Sequence, residues 1–248
     1  MNTFHYAQAR LQARHSLHLP EEEWSRLAAI PSFTVFLKQA RDTSLARWLH
    51  SIGPTSSHHE ADLSLRLSFR HHVAEVAAWL PSEWHPATRW LATLVDLPLL
   101  LHRLHGHPIP AALQRDELLA PLANVPPQWG SFTPLIQRWQ QGEPPTTAWM
   151  QHWHSLWPAN ARKDRSLLSL MKQVGQVGGH LEACDDPHLS RALHLRLQEL
   201  LAAHFRRHLF HVSVAFAHLG LVALELERLR GAICRRLLFP NGIEEKAP

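Results

Sequence analysis

Residues 211–240, HVSVAFAHLGLVALELERLRGAICRRLLFP, contain the pattern that most strongly determines the fold. Their large apolar residues recur three or four positions apart, which is the repeat of one face of an α-helix. This apolar stripe consists of Leu219, Val222, Leu226, Leu229, Ile233 and Leu237. Charged residues flank the stripe, and Pro240 is a residue that ends a helix. The spacing predicts a long helix over residues 213–238 whose apolar face is buried.

The composition of the whole chain favours the same type of structure. Its 248 residues include 42 Leu against 16 Val and Ile together, and only 10 Gly. Leucine loses little side-chain freedom in a helix, whereas β-branched residues favour sheets. The 18 prolines lie mainly between apolar segments, where they separate helices. We therefore expect an all-α protein with a compact body of short helices that ends in two long ones.

Apolar spacing and chain-breaking residues divide the sequence into a series of predicted helices. They lie near residues 3–16, 20–29, 31–40, 42–51, 59–80, 86–104, 111–120, 132–141, 146–157, 161–183, 188–211 and 213–238. Residues 63–69 alternate with period two, which is typical of a strand. The residues beside them have helical spacing, so we assign this segment to a helix.

The proline-rich residues 121–145 form the best internal boundary of the chain. They separate an N-terminal helical lobe, residues 1–120, from a C-terminal helical lobe, residues 146–248. The two lobes can also form one compact unit, because 248 residues suffice for a single large core.

The sequence predicts a cytoplasmic protein without a membrane span. Two cysteines, Cys184 and Cys234, are too few for a disulfide framework and are typical of a reducing compartment. No signal peptide precedes the first helix. The most apolar segment, residues 209–224, contains His211 and His218 and is shorter than the roughly 20 apolar residues of a spanning helix. Any membrane contact is therefore expected to be peripheral or through a partner.

The charge of the chain argues against nucleic acid as a partner. Its net charge is +4 with the 21 histidines neutral. The basic residues are scattered along the sequence and do not alternate with aromatic residues, as they do in many nucleic-acid-binding surfaces. Because histidine gains a proton near pH 6.5, the surface is expected to become more basic in acid.

The sequence gives no support for nucleophilic catalysis or nucleotide binding. The chain lacks a Gly-x-Ser-x-Gly motif, and Cys184 precedes two aspartates whose charges oppose a reactive thiolate. Residues 175–179 contain three glycines but lack the Gly-Lys-Ser/Thr ending of a phosphate-binding loop. We therefore expect no catalytic residue, no nucleotide and no cofactor.

Several groups of histidines have the residue types of metal ligands. They are His58 and His59 with Glu60, His71 and His72 with Glu75, and His102, His105 and His107. None has the spacing of a zinc-protease or di-iron motif. We therefore favour solvated polar side chains and predict no metal ligands.

Two further stripes each allow two interpretations. His204, His208, His211 and His218 form either a partner-facing edge or a polar border of the apolar face. Trp149, Trp153 and Trp157 recur every four residues on one helix face. For the tryptophans, we favour a place in the core over a docking patch, although tryptophan also anchors interfaces.

Both ends of the chain resemble the coupling subunit, designated C or d, of vacuolar-type and archaeal-type rotary ATPases. Residues 6–14, YAQARLQAR, are similar to the family's opening helix, Tyr-Ala-x-Ala-Arg followed by basic positions. Residues 19–24 and 30–37, LPEEEW and IPSFTVFL, are similar to the helices that follow it, with Arg41 and Thr43 before a tight turn. The segment ELERLR, residues 225–230, is similar to the closing helix, Glu-Ile-x-Asn-Leu-Arg.

The resemblance implies a non-catalytic protein that acts at the inner face of a membrane. Proteins of this family link the central shaft to the membrane rotor ring in proton or sodium transport, so the expected partners are other subunits of the motor. The candidate interface residues are Glu225, Arg230, Arg10, Arg14, His204, His208 and His211. Two alternatives remain open: a helical adaptor or assembly protein outside the motor, and a helical protein that binds metal through histidine clusters.

Glu225 and Arg230 are five positions apart, which places them about 140° apart around a helix. We therefore expect them to face different partners on an exposed surface. On this hypothesis, replacing either with alanine leaves the fold intact and weakens assembly with the shaft or ring.

Overall fold

The structure is a computed structural model that describes residues 3–239. Within this range the protein is all-α, with 74% helix and no strand, and its helices include long ones at the C-terminal end. The predicted fold class is therefore confirmed. No helix within residues 3–239 combines the length and apolar character that a bilayer crossing requires.

Twelve α-helices lie within the described residues. They are α1 (Thr3–His15), α2 (Glu21–Ala28), α3 (Phe33–Arg41), α4 (Ala46–Leu49), α5 (His58–Trp79), α6 (His85–Trp90), α7 (Leu97–Leu104), α8 (Thr133–Gln140), α9 (Pro145–Ser155), α10 (Arg165–Glu182), α11 (Pro187–Arg207) and α12 (Ser213–Leu238). Most of the predicted helices agree with these bounds within a few residues. Residues 63–69 lie inside α5, as expected from the spacing of their neighbours.

Two predicted helices differ from the structure for local reasons. The helix expected near residues 86–104 is α6 and α7 with the 3₁₀ segment Leu91–Asp96 between them. Pro98 lies in the first turn of α7 and has no N–H, so it cannot donate the α-helical hydrogen bond to the carbonyl four residues earlier. Residues 111–120 form no α-helix, because Asp116 accepts a hydrogen bond from the Leu118 N–H and holds a local turn instead.

Helix α12 is the central helix of the protein. It packs against α11, α5, α1, α3 and α10. Residues 213–219 at its start are all buried, so this half of the helix is enclosed on every side rather than along one stripe. Gly220 permits the close approach of α11, since a Cβ at this position would lie 2.9 Å from Leu201 Cδ1.

One hydrophobic core runs through both sides of the proline-rich segment, from Ala7 in α1 to Ile233 in α12. Trp149, Trp153 and Trp157 are 4%, 4% and 2% exposed, so the core interpretation of the tryptophan stripe is confirmed. These rings pack against one another, with 5.8 Å and 5.0 Å between successive centroids. The core therefore joins the two predicted lobes.

A buried ionic network fixes the middle of the chain to α5. Arg66 and Arg70 of α5 both donate to the carboxylate of Asp96, at 3.0 Å and 2.8 Å, and Asp96 is completely buried. Arg70 also pairs with Asp116. Buried carboxylates of this kind need charged partners to offset their desolvation. The network therefore determines where the irregular segment between α6 and α8 lies.

Candidate functional site

Glu225 of α12 is buried and holds the N-terminal segment in place. Its carboxylate accepts hydrogen bonds from the Leu19 backbone N–H at 3.0 Å, from Arg47 at 2.9 Å and from Trp48 Nε1 at 3.2 Å. His18 Nδ1 lies 3.4 Å from the same carboxylate. Burial raises the pKa of Glu225, but His18, the Leu19 N–H and Arg47 outweigh it and lower the pKa to about 2.

These contacts correct the expectation that Glu225 is exposed. Its side chain is 5% exposed and its partners belong to the N-terminal part of the same chain. The stripe pattern placed Glu225 beside the apolar face, but α12 is covered on that flank by the turn after α1 and by α4. Glu225 is therefore a structural residue of the folded chain.

A second polar contact joins α12 to the N-terminal part of the chain. Arg236 near the end of α12 donates hydrogen bonds to the backbone carbonyls of Leu27 and Ile30, both at 2.8 Å. The Leu27 carbonyl lies in the last turn of α2, where helix carbonyls lack intrahelical partners, and Ile30 follows the end of that helix by two residues. Closer to the surface, Arg228 pairs with Glu21 at 2.8 Å. The two ends of the chain thus form one structural unit.

The candidate interface residues of the N-terminal helix reach the surface. Arg10 is exposed and lies over the rings of Tyr6 and Trp79, 5.4 Å and 5.5 Å from their centroids. Arg14 is half-buried and pairs with Glu75 at 2.7 Å.

The last arginine among these candidates, Arg230 of α12, also reaches the surface. Its side chain is 37% exposed and lies 3.7 Å from Asp62. Arg10, Arg14 and Arg230 are therefore accessible to a partner, and their interface role stays a prediction.

The three candidate interface histidines line the turn between α11 and α12. His204 Nε2 and His211 Nδ1 each lie 2.8 Å from the Ser213 hydroxyl. His208 stacks on His204 with 4.1 Å between ring centroids and lies 3.1 Å from the hydroxyl of Ser166 in α10. Burial, followed by the neighbouring histidines, lowers the pKa of His204 to about 4. The group joins α10, α11 and α12 and includes both buried and half-buried rings.

His218, the fourth member of the predicted histidine stripe, belongs to a different group. It is completely buried in α12, and its Nε2 lies 3.0 Å from Nε2 of His72 in α5. His15, the last residue of α1, and His18 in the following turn approach it from the other side. His15, His18 and His218 each have a ring nitrogen, and these three nitrogens all lie within 4.8 Å of one another.

Carboxylates lie beside two of these histidines, His72 and His18. His72 Nδ1 is 3.4 Å from Glu75, which is itself paired with Arg14. His18 Nδ1 faces Glu225, as described above. The ring of His15 stacks on Phe205 of α11 with 4.0 Å between centroids. Each histidine is therefore held in its orientation by a neighbour.

The imidazole rings of His15, His72 and His218 are neutral near pH 7. Burial lowers the pKa of His15 and of His72 to about 4, and it lowers the pKa of His218 well below its usual value. Neighbouring cations and histidines add to this effect for His15 and His218. Neutral imidazole retains a nitrogen lone pair, which is what hydrogen-bond donors and metal ions bind.

Sequence reasoning missed this cluster because its members are distant in the chain. The available signal was the pair His15 and His18, three positions apart at the end of a predicted helix. The histidine groups that the sequence suggested do not assemble in the same way. His71 is exposed while His72 points inward, and the rings of His102 and His107 stack on each other at the surface.

Three cavities lie near these groups, and the largest, of about 1080 Å³, is lined by Arg14, His72 and Glu75, among others. A small cavity of about 100 Å³ borders the cluster and is lined by His15, His18 and Glu225, among others. A larger one of about 240 Å³ lies among α5, α9, α10, α11 and α12. Its lining is mostly apolar and includes Trp153 and Phe216. The small cavity gives the histidine cluster an approach from outside.

The chain matches no protein-family model, no curated protein and no solved structure. The resemblance to the rotary ATPase family therefore rests on the residues quoted for it at the two ends of the chain.

Proposed function

We propose that this protein is a non-catalytic coupling subunit of a vacuolar-type or archaeal-type rotary ATPase. In this role it binds at the inner face of the membrane and links the central shaft to the rotor ring during proton or sodium transport. It performs no bond chemistry, since its part is to pass rotation from one subunit to another. Residues 5–48 and 211–240 provide the resemblance to that family.

The packing of these two segments on each other is the observation that carries the proposal. Glu225, Arg228 and Arg236 of α12 all bond to residues 19–48. Segments that belong to one family are expected to pack on one another, so this contact supports the resemblance of the two ends.

The stiffness of the body also suits a mechanical role. Buried ion pairs around Asp96 and Glu225 connect helices that are distant in sequence, and packed interiors of this kind transmit force with little deformation. The exposed Arg10 and Arg230 offer cationic contacts to acidic residues of a partner.

Co-purification with motor subunits tests the proposal. The tagged chain is expressed with the central-shaft subunit and the ring subunit of a rotary ATPase from the same genome. We expect both to be retained, and we expect the charge reversals Arg10→Glu and Arg230→Glu to weaken retention. Lys172→Glu on α10 is the matched control, because Lys172 is exposed and lies far along the chain from both ends.

Retention of neither subunit by the folded wild-type chain contradicts the coupling role. A chain that binds other proteins but no motor subunit is then the helical adaptor of the alternative hypothesis. Equal retention of wild type and both arginine variants, with motor subunits bound, places the interface elsewhere on the body.

A further inference from the structure

We infer that His15, His18 and His218 form a binding site for a divalent transition-metal ion, with Zn²⁺ the best match. The inference does not depend on the coupling role. One ring nitrogen from each residue takes part, and the three nitrogens all lie within 4.8 Å of one another. Imidazole suits Zn²⁺ among the common divalent ions, and three histidines with an open fourth position are an established zinc ligand set.

Unpartnered nitrogen atoms point to the same three residues. His15 Nδ1, His18 Nε2 and His218 Nδ1 are buried and find no hydrogen-bond partner among residues 3–239. The large majority of buried side-chain polar atoms in proteins have a partner, so three exceptions at one place require an explanation. A metal ion bound by these nitrogens would give each of them a partner.

The second ring nitrogen of His18 and of His218 contacts a polar neighbour, as is usual for histidines that bind a metal. His18 Nδ1 faces the carboxylate of Glu225 at 3.4 Å. His218 Nε2 contacts His72 at 3.0 Å, and His72 in turn faces Glu75. Such outer contacts orient a ligand ring and raise its basicity. They leave His18 Nε2 and His218 Nδ1 free, and these are the unpartnered atoms.

The distances permit a tetrahedral ion after a small adjustment. Zinc–nitrogen bonds of about 2.0–2.1 Å place tetrahedral ligand atoms about 3.3 Å apart. His218 lies inside α12, whereas His15 ends α1 and His18 lies in the turn after it, so we expect the adjustment at these two residues. The small cavity beside His15 and His18 leaves room for a water molecule as the fourth ligand.

The charges around the cluster include groups of both signs. Glu225 lies behind His18, Glu75 lies behind His72, the neighbour of His218, and Glu225 is ionised at neutral pH because its pKa is about 2. Arg47 and Arg206 lie nearby and oppose a cation. His15 and His218 are neutral near pH 7, so they do not have to release protons before they bind a metal.

A bound ion would connect α1 to α12, the same two parts of the chain that Glu225 joins. It would therefore add a link between the ends of the protein that resemble the rotary ATPase family. A ligand that binds only the folded state raises its stability, so metal should raise the melting temperature.

The first test is a Zn²⁺ titration of the full chain after removal of metals with a chelator. Calorimetry should show one ion per chain with a Kd of micromolar or lower, and the melting temperature should rise. Co²⁺ in place of Zn²⁺ should give the intense visible absorption of a tetrahedral site. Folded wild-type protein that takes up no ion, or that gives only the weak spectrum of octahedral Co²⁺, overturns the inference.

Variants then assign the ligands. His18→Ala and His218→Gln should each weaken Zn²⁺ binding by more than about 100-fold, and Glu225→Gln should weaken it about 10-fold to 100-fold as an outer contact. The double variant His102→Ala/His107→Ala removes two surface histidines and should bind as wild type does. Because His18 is only half-buried, its variant should stay folded, which circular dichroism checks. Equal loss in the control variant overturns the assignment.

Discussion

Single polar residues on α12 join the two ends of the chain. Glu225 accepts hydrogen bonds from the N–H of Leu19, the guanidinium of Arg47 and the indole of Trp48. Arg236 donates to the carbonyl of Leu27 at the end of α2. Each of these two α12 residues is charged and buried, so removing it leaves its partners without compensation. Their contribution to the fold is therefore larger than that of ion pairs at the surface.

Replacing Glu225 with alanine should lower the free energy of unfolding by about 3–5 kcal/mol, because Arg47 then keeps a buried charge without its partner. Urea unfolding at pH 7.5, followed by circular dichroism, measures the change. Glu225→Gln keeps the shape and should lose less.

Glu22→Ala on α2 is the control for this experiment, since Glu22 is exposed. A loss of less than about 0.5 kcal/mol is expected there. If Glu225→Ala unfolds no more easily than Glu22→Ala, the carboxylate does not hold the N-terminal segment, and a role in partner binding becomes the better explanation for it.

At the scale of helices, the environment of each glycine determines the effect of a side chain. Gly231 lies in the exposed part of α12, and Gly142 follows α8 with a φ of +88°. Neither has an atom within 4 Å of an added Cβ, so packing predicts no difference between alanine substitutions at these two positions. The backbone conformation does, because only glycine adopts positive φ at little cost.

Gly231→Ala should therefore stabilise the protein by about 0.5–1 kcal/mol, since alanine is the better helix former. Gly142→Ala should destabilise it by roughly 1 kcal/mol, since alanine is strained at that φ. Chemical denaturation of the two variants side by side measures both changes. A shift of the same sign in both would contradict the assignment of these two positions to helix interior and left-handed turn.

At the scale of the whole molecule, buried neutral histidines make stability depend on pH. The pKa values of His15, His72 and His204 are lowered to about 4, and that of His218 is also lowered well below its usual value, against about 6.5 for an unfolded chain. Below pH 6.5 the unfolded chain thus binds protons that the folded one does not. The stability from these groups is fully present above pH 6.5 and is lost as the pH falls toward 4.

We therefore expect the urea midpoint of metal-free protein to fall between pH 7 and pH 4.5. Glu225, with a pKa of about 2, loses its contribution only at lower pH, whereas Asp96, whose pKa burial raises, acts in the opposite direction as the pH falls. His194 also acts in the opposite direction, since its hydrogen bond to Glu227 raises its pKa. A midpoint that is constant or rises over this range would refute the burial of neutral histidines.

The whole chain is also expected to bind no nucleotide. Residues 175–179 lack a phosphate-loop ending in sequence, and they lie within the helix α10 rather than in a loop before a helix. Calorimetry with Mg-ATP and a phosphate-release assay should give no heat of binding and no turnover. Stoichiometric ATP binding would contradict a purely mechanical role.

The helices of this protein can be predicted from its amino-acid sequence. The leucine-rich composition, the spacing of apolar residues and the positions of proline predict nearly every helix of residues 3–239, because these signals act over one or two helical turns. The tryptophan stripe is predictable as core for the same reason. The failures at residues 86–104 and 111–120 are local too, since Pro98 and Asp116 interrupt a pattern that otherwise indicates a helix.

The roles of the polar residues, in contrast, depend on tertiary packing. Glu225 has the sequence environment of an exposed residue and becomes buried because α4 and the turn after α1 cover its side of α12. His15, His18 and His218 meet because α1 packs on α12, a contact between residues about 200 positions apart. Helical periodicity shows which residues share a face, but which helices come together depends on packing across the whole chain.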